Sequence, residues 1–440
     1  MHAAGMTRVH RPLALVAVVA LATAGTLGTQ GAQAAASVQT PAPPAFSAER
    51  LQRLDGAVQG MVDAGQLSGM VSLVSHRGKL VHSHVLGRQD IASNTPMARD
   101  TIFRAYSMTK PVTGVAMMML YEEGLWSPSD PVTRFIPEFA DLQVYTGMAP
   151  DGRMLTEAAR RVPTMGELMS HTAGFGYGLF PGHPVEALFQ KANIMGSASR
   201  DEAIAKLAKI PLRYQPGSEW QYSIAVDIQG YILERITGQR LDDFMQQRIF
   251  GPLGMKDTAF RVPEDKLPRL ATIYSAGADG KLAPVPRDPN VSRAPALASG
   301  GAGLYSTADD YLRFARMLAG GGQLDGVRLL APRTVQLMAT NHLSPRLLEG
   351  GFGIGMQQLK PGFGFGYDVA VYEDPFKAQT VIGKGSFLWD GAAGTFFWVD
   401  PENDLVFVGM IQRMGGGPSF PRVQELARPL LYQALLPGGR

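Results

Sequence analysis

The 440-residue chain contains no cysteine. This absence excludes disulfides, thiolate metal sites, iron–sulfur clusters and a cysteine nucleophile. Charge is also scarce, since only 18% of the residues are charged and 41 Lys and Arg nearly balance 38 Asp and Glu. No dense run of Lys or Arg occurs along the chain, so a nucleic-acid partner is not expected.

Two sequence signatures of hydrolytic enzymes are missing as well. No Ser has Gly at both the −2 and the +2 position, which argues against the nucleophile elbow of an α/β-hydrolase. No His-Glu-x-x-His segment occurs. His82 and His84 share one face of a predicted strand, but such a pair is more often solvated or packed than bound to a metal. We therefore expect neither a metal nor another cofactor.

The first segment of the chain has the pattern of a secretory signal. Arg8, His10 and Arg11 precede the apolar run 13–24, which ends near the small-residue pattern at 32–34. The apolar run is shorter than the roughly 20 residues that a membrane-spanning helix needs. The pattern predicts a signal peptide at 1–34, a Pro- and Ala-rich spacer at 35–46, export to the periplasm or extracellular space, and no stable membrane insertion after cleavage. An uncleaved N-terminal anchor is the alternative.

The remaining chain is rich in apolar residues, with 45% hydrophobic residues overall, 20 Phe, 13 Tyr and 4 Trp, which is enough to build a large core. Strand-like runs lie near its two ends, and helical periodicity flanks them. The predicted strands are 70–75, 79–86, 395–399 and 405–410, and the predicted flanking helices are 47–64, 107–123 and 424–435.

Between these ends, from about 128 to 295, helical stretches at 201–209, 226–237 and 241–250 alternate with Pro- and Gly-rich loops. We interpret residues 47–440 as a single domain of the α/β (α+β) class. Its α/β part comprises about 47–127 and 296–440 and shares one sheet, and the residues from about 128 to 295 form a mainly helical lobe beside it. The cleft between these two parts is the expected site.

One segment carries the chemistry. Ser107 and Lys110, three residues apart near the start of a helix, lie on the same helical face, so the amine can reach the hydroxyl. A serine hydroxyl needs an adjacent base, and a buried Lys with a lowered pKa can serve as that base. The pattern predicts Ser107 as nucleophile and Lys110 as its proton acceptor, although the same spacing also fits an ordinary helix start with an exposed Lys.

Two further segments could complete such a site. Tyr222, followed by Ser223, leads into a helix, and its phenol could relay a proton if the nearby ammonium lowers its pKa, although a Tyr beside a Trp also fits core packing. Trp389-Asp390-Gly391-Ala392 precedes a strand, and as an edge segment it would leave backbone amides free to stabilise an oxyanion, although Gly there also fits a turn or bulge.

Together these three motifs resemble the serine β-lactamase and penicillin-binding protein superfamily, most closely the branch of class C β-lactamases and family VIII carboxylesterases. The resemblance covers nearly the whole chain after the signal, because three more segments look like framework segments of that family in the same order: 168–174, 250–255 and 299–307. It implies an antiparallel sheet flanked by helices, a Ser107 acyl-enzyme, Lys110 and Tyr222 as general base and acid, and an oxyanion hole made by the backbone amides of Ser107 and Ala392.

Two departures from the lactamase pattern favour an esterase. The second motif usually ends in Asn, where this chain has Ile224, and the third usually begins with Lys, where this chain has Trp389. A Lys at that place helps to hold a substrate carboxylate, and a Trp there is similar to the esterases. Asp390 stands where the esterases commonly have Gly. Trp389, Asp390 and Gly391 are the expected substrate-binding residues, for a small-molecule ester.

Other interpretations remain open. The same machinery could serve a β-lactamase or a D-amino-acid peptidase, and a catalytically silent envelope binding protein could keep the fold. His171 is expected to make a structural hydrogen bond, and the three consecutive Met residues at 117–119 fit a helix core better than a pocket. The aromatic and Gly segment 363–367 is predicted to be a loop and is the better candidate for a pocket.

Overall fold

The computed structural model describes residues 46–277, 280–349, 352–354, 357–359, 361–415 and 421–436. The predicted signal peptide at 1–34 and the spacer up to residue 45 lie outside the described residues. Within the described part, no helix combines the length and the apolar character needed to cross a membrane.

Most of the strands are short, and the long ones lie near the two ends of the chain. In chain order the strands are β1 Gly69–His76, β2 Lys79–Asp90, β3 Thr95–Pro96, β4 Phe103–Arg104, β5 Gln143–Met148, β6 Met154–Ala158, β7 Tyr274–Ala276, β8 Leu282–Pro284, β9 Tyr305–Ser306, β10 Gln323–Leu324, β11 Val327–Arg328, β12 Phe352–Ile354, β13 Gln357–Leu359, β14 Phe363–Phe365, β15 Ala370–Tyr372, β16 Phe387–Asp390, β17 Phe396–Asp400, β18 Leu405–Met410 and β19 Arg413–Met414.

The helices lie between and around these strands. They are α1 Ala48–Asp63, α2 Thr109–Glu122, α3 Met165–Met169, α4 Pro184–Ala192, α5 Arg200–Leu207, α6 Ala225–Thr237, α7 Leu241–Met245, α8 Gly251–Leu253, α9 Ala308–Ala319, α10 Pro332–Met338, α11 Pro345–Glu349 and α12 Val423–Tyr432. Short 3-10 helices include Tyr106–Met108 just before α2, and a π-helical turn, Gln246–Phe250, continues α7.

The main sheet joins the two ends of the chain, as the sequence predicted. Its order is β14-β15-β16-β17-β18-β1-β2-β3, and its neighbouring strands run antiparallel. The junction is the β1–β18 pair, where Val71 lies opposite Met410. Every residue of β1 and β18 is buried, because helices cover the sheet: α1 packs on β2 and α12, and α9 packs on β1, β17 and β18.

Helix α2 runs through the core and carries the first motif at its start. Its residues from Thr109 to Leu120 are all buried, so it lacks the polar stripe of a surface helix. The chain leaves it at Gly124, whose φ of 72° is the left-handed conformation that commonly ends a helix. α2 contacts α6, which follows the second motif, so the two motifs meet where these helices pack together.

The structure corrects one local prediction. Residues 363–367 are not simply a loop, because Phe363–Phe365 is β14, which pairs with β15 at the end of the main sheet. A short strand flanked by Gly lacks the long alternating pattern that makes a strand recognisable. The start of the third motif does lie at an edge, because the pairing of β16 with β15 ends at Leu388, and Trp389 and Asp390 pair with β17 alone.

Candidate active site

Ser107 lies on the 3-10 turn that precedes α2, and it is partly exposed. The residue before it, Tyr106, has a φ of 47°, a left-handed conformation that is costly for a residue with a side chain. Neighbouring segments hold this turn: Ala105 donates its N–H to the carbonyl of Leu304, and the Tyr311 hydroxyl of α9 donates to the Met108 carbonyl at 2.8 Å. The backbone around Ser107 is therefore fixed from both sides.

Lys110 is the second residue of α2 and is completely buried, with its amine directed at Ser107. Its Nζ lies 3.4 Å from Ser107 Oγ, 2.7 Å from the Gly301 carbonyl oxygen and 3.2 Å from the Tyr177 hydroxyl. Burial lowers the pKa of Lys110 to about 8, because an ammonium loses its hydration there. A substantial fraction of the side chain is thus neutral in mildly alkaline solution and able to accept a proton.

Two buried carboxyl groups oppose this lowering of the Lys110 pKa. Asp227 of α6 accepts hydrogen bonds from Ser299 Oγ at 2.6 Å and from the Gly301 amide at 3.1 Å, and Asp368 accepts one from the Gln229 side chain at 3.1 Å. Among the described residues, no carboxylate lies within ion-pair distance of the Lys110 amine. The carboxyl groups therefore act on Lys110 across a gap.

Tyr222 is the second side chain in contact with Ser107 Oγ. Its hydroxyl donates a 2.7 Å hydrogen bond to Ser107 Oγ, and the Lys110 amine lies 4.6 Å from the centre of its ring. The expectation of a lowered Tyr222 pKa is wrong: burial raises it, and the hydrogen bond with Ser107 offsets this only in part. Tyr222 is therefore a neutral phenol that can donate a proton but does not store a negative charge.

Aromatic rings enclose Tyr222. Its ring centre lies 5.1 Å from that of His171, 5.5 Å from that of Tyr177 and 5.6 Å from that of Trp389, and Phe365 of β14 packs on Trp389 at 5.5 Å. Phe365 is fully buried, so it supports this aromatic wall rather than lining an open pocket. These contacts fix the direction of the phenol.

His171 makes the structural hydrogen bond expected of it. Its Nδ1 lies 3.0 Å from Ser223 Oγ and accepts the Ser223 amide at 3.2 Å, so the residue after Tyr222 is attached to the ring. Burial lowers the pKa of His171 well below its usual range, so the ring stays neutral. The side chain thereby fixes the backbone of the second motif.

The third motif reaches the nucleophile turn through its backbone. A Cβ on Gly391 would lie 2.3 Å from the Ala105 carbonyl oxygen and 2.3 Å from Thr395 Oγ1, so this approach requires glycine. Trp389 is almost fully buried in the aromatic wall, whereas Ala392 is exposed. The structure therefore brings the third motif beside Ser107, but Trp389 presents little surface to a ligand.

Asp390 points towards the C-terminal helix rather than towards Lys110. Its carboxylate pairs with Arg422 at 2.5 Å, and about a third of each side chain is exposed. Arg422 is the residue just before α12. The pair occupies the rim of the site, where an unpaired cation could otherwise hold a substrate carboxylate.

The sequence interpretation missed Tyr177, Asp227 and Asp368, which all lie around Lys110. The backbone amides of Tyr177, Gly178 and Leu179 surround one carboxylate, that of the fully buried Glu186, which also pairs with Arg213 at 3.1 Å. For Tyr177 the available signal was the Gly-rich run at 174–178, since closely spaced glycines often mark a backbone that approaches a site.

A cavity of about 130 Å³ opens beside the nucleophile turn. Its lining includes Arg104, Tyr106, Tyr305 and Gln412 together with part of the segment 270–291. Arg104 donates to the Tyr305 hydroxyl at 2.6 Å and lies over the rings of both tyrosines. Two aromatic rings thus hold the guanidinium at the wall of this cavity.

Comparison with known proteins places this chain in a family. The Beta-lactamase family model matches residues 54–431. Protein Rv1367c of Mycobacterium tuberculosis is 40% identical over 82% of this chain and 90% of its own length, and Esterase EstB of Burkholderia gladioli is 32% identical over 80% and 88%. The solved structure of EstCE1, described as a hydrolase with promiscuous acyltransferase activity, is 28% identical, covers 87% of this chain and 99% of its own, and has a TM-score of 0.73.

The fold and the match along the chain define the class: the protein belongs to the Beta-lactamase family. The predicted β-lactamase-like fold and the resemblance to family VIII carboxylesterases are confirmed. Within that family, the chain is a carboxylesterase-like serine hydrolase.

Proposed function

We propose that this protein is an exported serine hydrolase that cleaves carboxylic esters of small molecules through an acyl-enzyme on Ser107. The observation that carries the proposal is the arrangement of Tyr222, Ser107 and Lys110, in which a hydroxyl lies between a neutral phenol and an amine whose pKa is lowered to about 8. The similarity to Esterase EstB supports the choice of ester as substrate.

In the acylation step, neutral Lys110 takes the proton of Ser107 as Ser107 Oγ attacks the ester carbonyl. The backbone amides of Ser107 and Ala392 stabilise the oxyanion that forms. When the carbon–oxygen bond breaks, Tyr222 donates its proton to the departing alkoxide and recovers one from the Lys110 ammonium. The alcohol leaves, Ser107 carries the acyl group, and both helper residues regain their original protonation states.

In the deacylation step, a water molecule replaces the alcohol. The Tyr222–Lys110 pair removes one proton from that water as it attacks the acyl carbonyl, and returns the proton to Ser107 Oγ when the acyl bond breaks. The acid leaves, and the free enzyme is restored. In the resting state Tyr222 donates a hydrogen bond to Ser107 Oγ, so it is already directed at the oxygen that leaves in this step.

The rim of the site favours an ester over a β-lactam or a peptide carboxylate. Trp389 stands where the lactamase pattern has Lys, and the nearby cation, Arg422, is already paired with Asp390. A substrate carboxylate placed there would meet Asp390 and would compete with it for the guanidinium. We expect Asp390 to select against anionic groups, while Gly391 lets the third motif approach the Ala105 carbonyl and so places the motif beside Ser107.

The first experiment compares a short-chain p-nitrophenyl ester with a chromogenic cephalosporin, using wild-type enzyme and Ser107→Ala. Ester turnover that depends on Ser107, with little cephalosporin turnover, supports the proposal. The reverse preference would replace it with a β-lactamase function, and Ser107-dependent release of D-alanine from peptides would replace it with a peptidase function. A Ser107 that reacts with no phosphonate would indicate a silent binding protein.

Transfer of the acyl group to an alcohol is a second candidate function, since EstCE1 is described as a hydrolase with promiscuous acyltransferase activity. The same acyl-enzyme would serve both reactions, with an alcohol in the place of water. Adding increasing concentrations of a primary alcohol to the ester assay tests this, since transfer yields a new ester while the first product is still released. If only the free acid forms at every alcohol concentration, the protein is a hydrolase alone.

Export is part of the same proposal and rests on the sequence at 1–34. Expression of the full chain in a bacterial host, followed by N-terminal sequencing of the product in each cell fraction, tests it. A product that begins near residue 35 outside the cytoplasm supports export, whereas an intact N-terminus in the membrane fraction supports an anchor.

A further inference from the structure

A second cluster of chemically active side chains lies away from Ser107. Asp55 of α1 and His82 and His84 of β2 bring one carboxylate oxygen and two imidazole nitrogens to within 4.8 Å of one another. Asp55 Oδ1 lies 3.0 Å from His82 Nε2 and 2.6 Å from His84 Nδ1. We propose that these three residues form a binding site for a divalent first-row transition metal, with Zn²⁺ as the reference ion.

The ligand types and spacing fit such an ion. Zn²⁺ binds imidazole nitrogen at about 2.0–2.1 Å and carboxylate oxygen at about 2.0–2.2 Å, so two ligands of one tetrahedral ion lie about 3.3 Å apart. The distance of 3.0 Å between His82 Nε2 and Asp55 Oδ1 is close to this value, and the distance of 2.6 Å between His84 Nδ1 and Asp55 Oδ1 is shorter. A small widening at His84 would admit the ion, and one or more waters would complete its coordination.

The hydrogen bonds within the cluster leave one buried imidazole nitrogen, His84 Nδ1, without a partner among the described residues. His84 Nδ1 is buried and, among the described residues, has no hydrogen-bond partner of acceptable direction, although it lies only 2.6 Å from Asp55 Oδ1. His82 Nε2, in contrast, makes a regular hydrogen bond with the same oxygen. Both imidazoles thus lie near one carboxylate oxygen, but only His82 forms a hydrogen bond with it. A cation bound by the oxygen and both nitrogens would give His84 Nδ1 a partner as well.

The cluster is accessible from solvent, and the strand that carries its two histidines is held in the sheet. The exposed fractions are 11% for the side chain of His82, 22% for Asp55 and 32% for His84. His82 and His84 alternate along one strand and so share a face, and β2 is paired with β1 along its length, which holds the two rings at a fixed spacing. A metal could therefore enter from solvent into a largely preformed site.

The proposed metal site is separate from the ester site. Ser83, between the two histidines, accepts a hydrogen bond from Arg99, which pairs with Asp309 of α9. Because neighbouring strand residues point to opposite faces, His82 and His84 point to the α1 face of the sheet, and α9 lies on the other face with Tyr311 against the nucleophile turn. A metal at this cluster would attach α1 to the sheet and would touch none of Ser107, Lys110 or Tyr222.

Metal binding is tested by titrating the tag-free full chain with Zn²⁺ in competition with a chromophoric chelator, and with Co²⁺ in absorption spectroscopy. We expect one saturable Zn²⁺ per chain, visible d–d bands with Co²⁺, and a rise in the midpoint of thermal unfolding of about 3 °C at a hundredfold excess over Kd. Asp55→Asn and His84→Gln should each weaken Zn²⁺ binding by about tenfold or more and remove the thermal shift.

The matched control is Asp63→Asn, the same change on an exposed residue at the end of α1. It should bind Zn²⁺ as the wild type does, and all of these variants should keep ester turnover. If Asp55→Asn and His84→Gln bind Zn²⁺ as tightly as Asp63→Asn does, or if no saturable site is found, the cluster is a His–Asp–His hydrogen-bonded group only and the proposal is wrong.

Discussion

Two buried cations in this protein, Lys110 and Arg213, are held in opposite ways. Arg213, with 11% of its side chain exposed, pairs at 3.1 Å with Glu186, whose side chain is 1% exposed. Lys110 is fully buried, and its three nearest partners are a serine hydroxyl, a phenol and a backbone carbonyl. One cation has a direct counter-ion, and the other has only neutral groups in contact.

The difference separates a structural charge from a reactive one. A guanidinium with a carboxylate in contact stays charged, and Glu186 uses its remaining capacity to hold the backbone amides of Tyr177, Gly178 and Leu179. An amine without such a contact has its pKa lowered to about 8 and can exchange protons. Tyr177 connects the two regions, because the Glu186 contacts fix its backbone and its hydroxyl reaches Lys110.

The largest effect we expect is from Ser107→Ala. Removing the nucleophile leaves the base without a proton to accept, so kcat for ester hydrolysis should fall by about ten-thousandfold or more. Steady-state turnover of a p-nitrophenyl ester measures this, with the exposed Ser129→Ala as the matched control. Near-wild-type turnover by Ser107→Ala would contradict the assignment of the reactive region.

The next effect concerns Lys110 itself. Lys110→Met should lower kcat by about a thousandfold or more, because the neutral thioether cannot accept the proton of Ser107. Lys110→Arg should not restore activity, because a guanidinium does not release its proton in a protein. Circular dichroism confirms that each variant is folded. Activity restored by Arg would show that only the positive charge is needed, and the contrast with Arg213 would then fail.

The structural region should respond in stability. Glu186→Gln leaves Arg213 buried without its counter-ion, so the free energy of unfolding should fall by about 3 kcal/mol, about two orders of magnitude in the folding equilibrium. Urea denaturation measures this. Glu202→Gln breaks an exposed pair with Lys206, which solvent screens, and should leave the urea midpoint nearly unchanged. Equal losses in both variants would remove the distinction between the two regions.

The smallest effect is a change in pH dependence. Lys110 acts as a base only when neutral, so kcat/KM should rise with pH, with an apparent pKa near 8, and level off above it. The negative charge of Asp227 raises the pKa of Lys110, so Asp227→Asn should move this rise towards lower pH. A pH profile of each enzyme measures the shift. A shift towards higher pH would show that Asp227 does not act on Lys110 through its charge.

Local features of the site were predictable from the sequence, and distant ones were not. Ser107 and Lys110 belong to one helical turn, so their spacing alone places the amine near the hydroxyl. Tyr222 was found through a resemblance, and the direction of its pKa shift was predicted wrongly because burial by rings from distant segments outweighs the nearby amine. Asp368 reaches Gln229 and acts on Lys110 only through tertiary packing, which leaves no pattern in the sequence.

The same division holds for the fold. The strands at 405–410 and the helix at 225–237 were placed to within a residue, because an uninterrupted apolar run and a helical period each identify an element without reference to its neighbours. β14 was missed, since three residues between glycines become a strand only through pairing with β15. The aromatic wall could not be inferred for the same reason, because its rings come from four separate segments of the chain.

The contact of Gly391 with the nucleophile turn sets a limit on how this enzyme could diversify. Since not even a methyl group fits between Gly391, which follows β16, and the Ala105 carbonyl, the spacing between the third motif and the nucleophile turn is fixed. A descendant enzyme with a new substrate cannot increase this spacing without moving Ser107 away from the third motif. New specificity would have to arise in the surrounding segments, such as the cavity-lining segment 270–291 and the one that carries Arg422, while this contact stays the same.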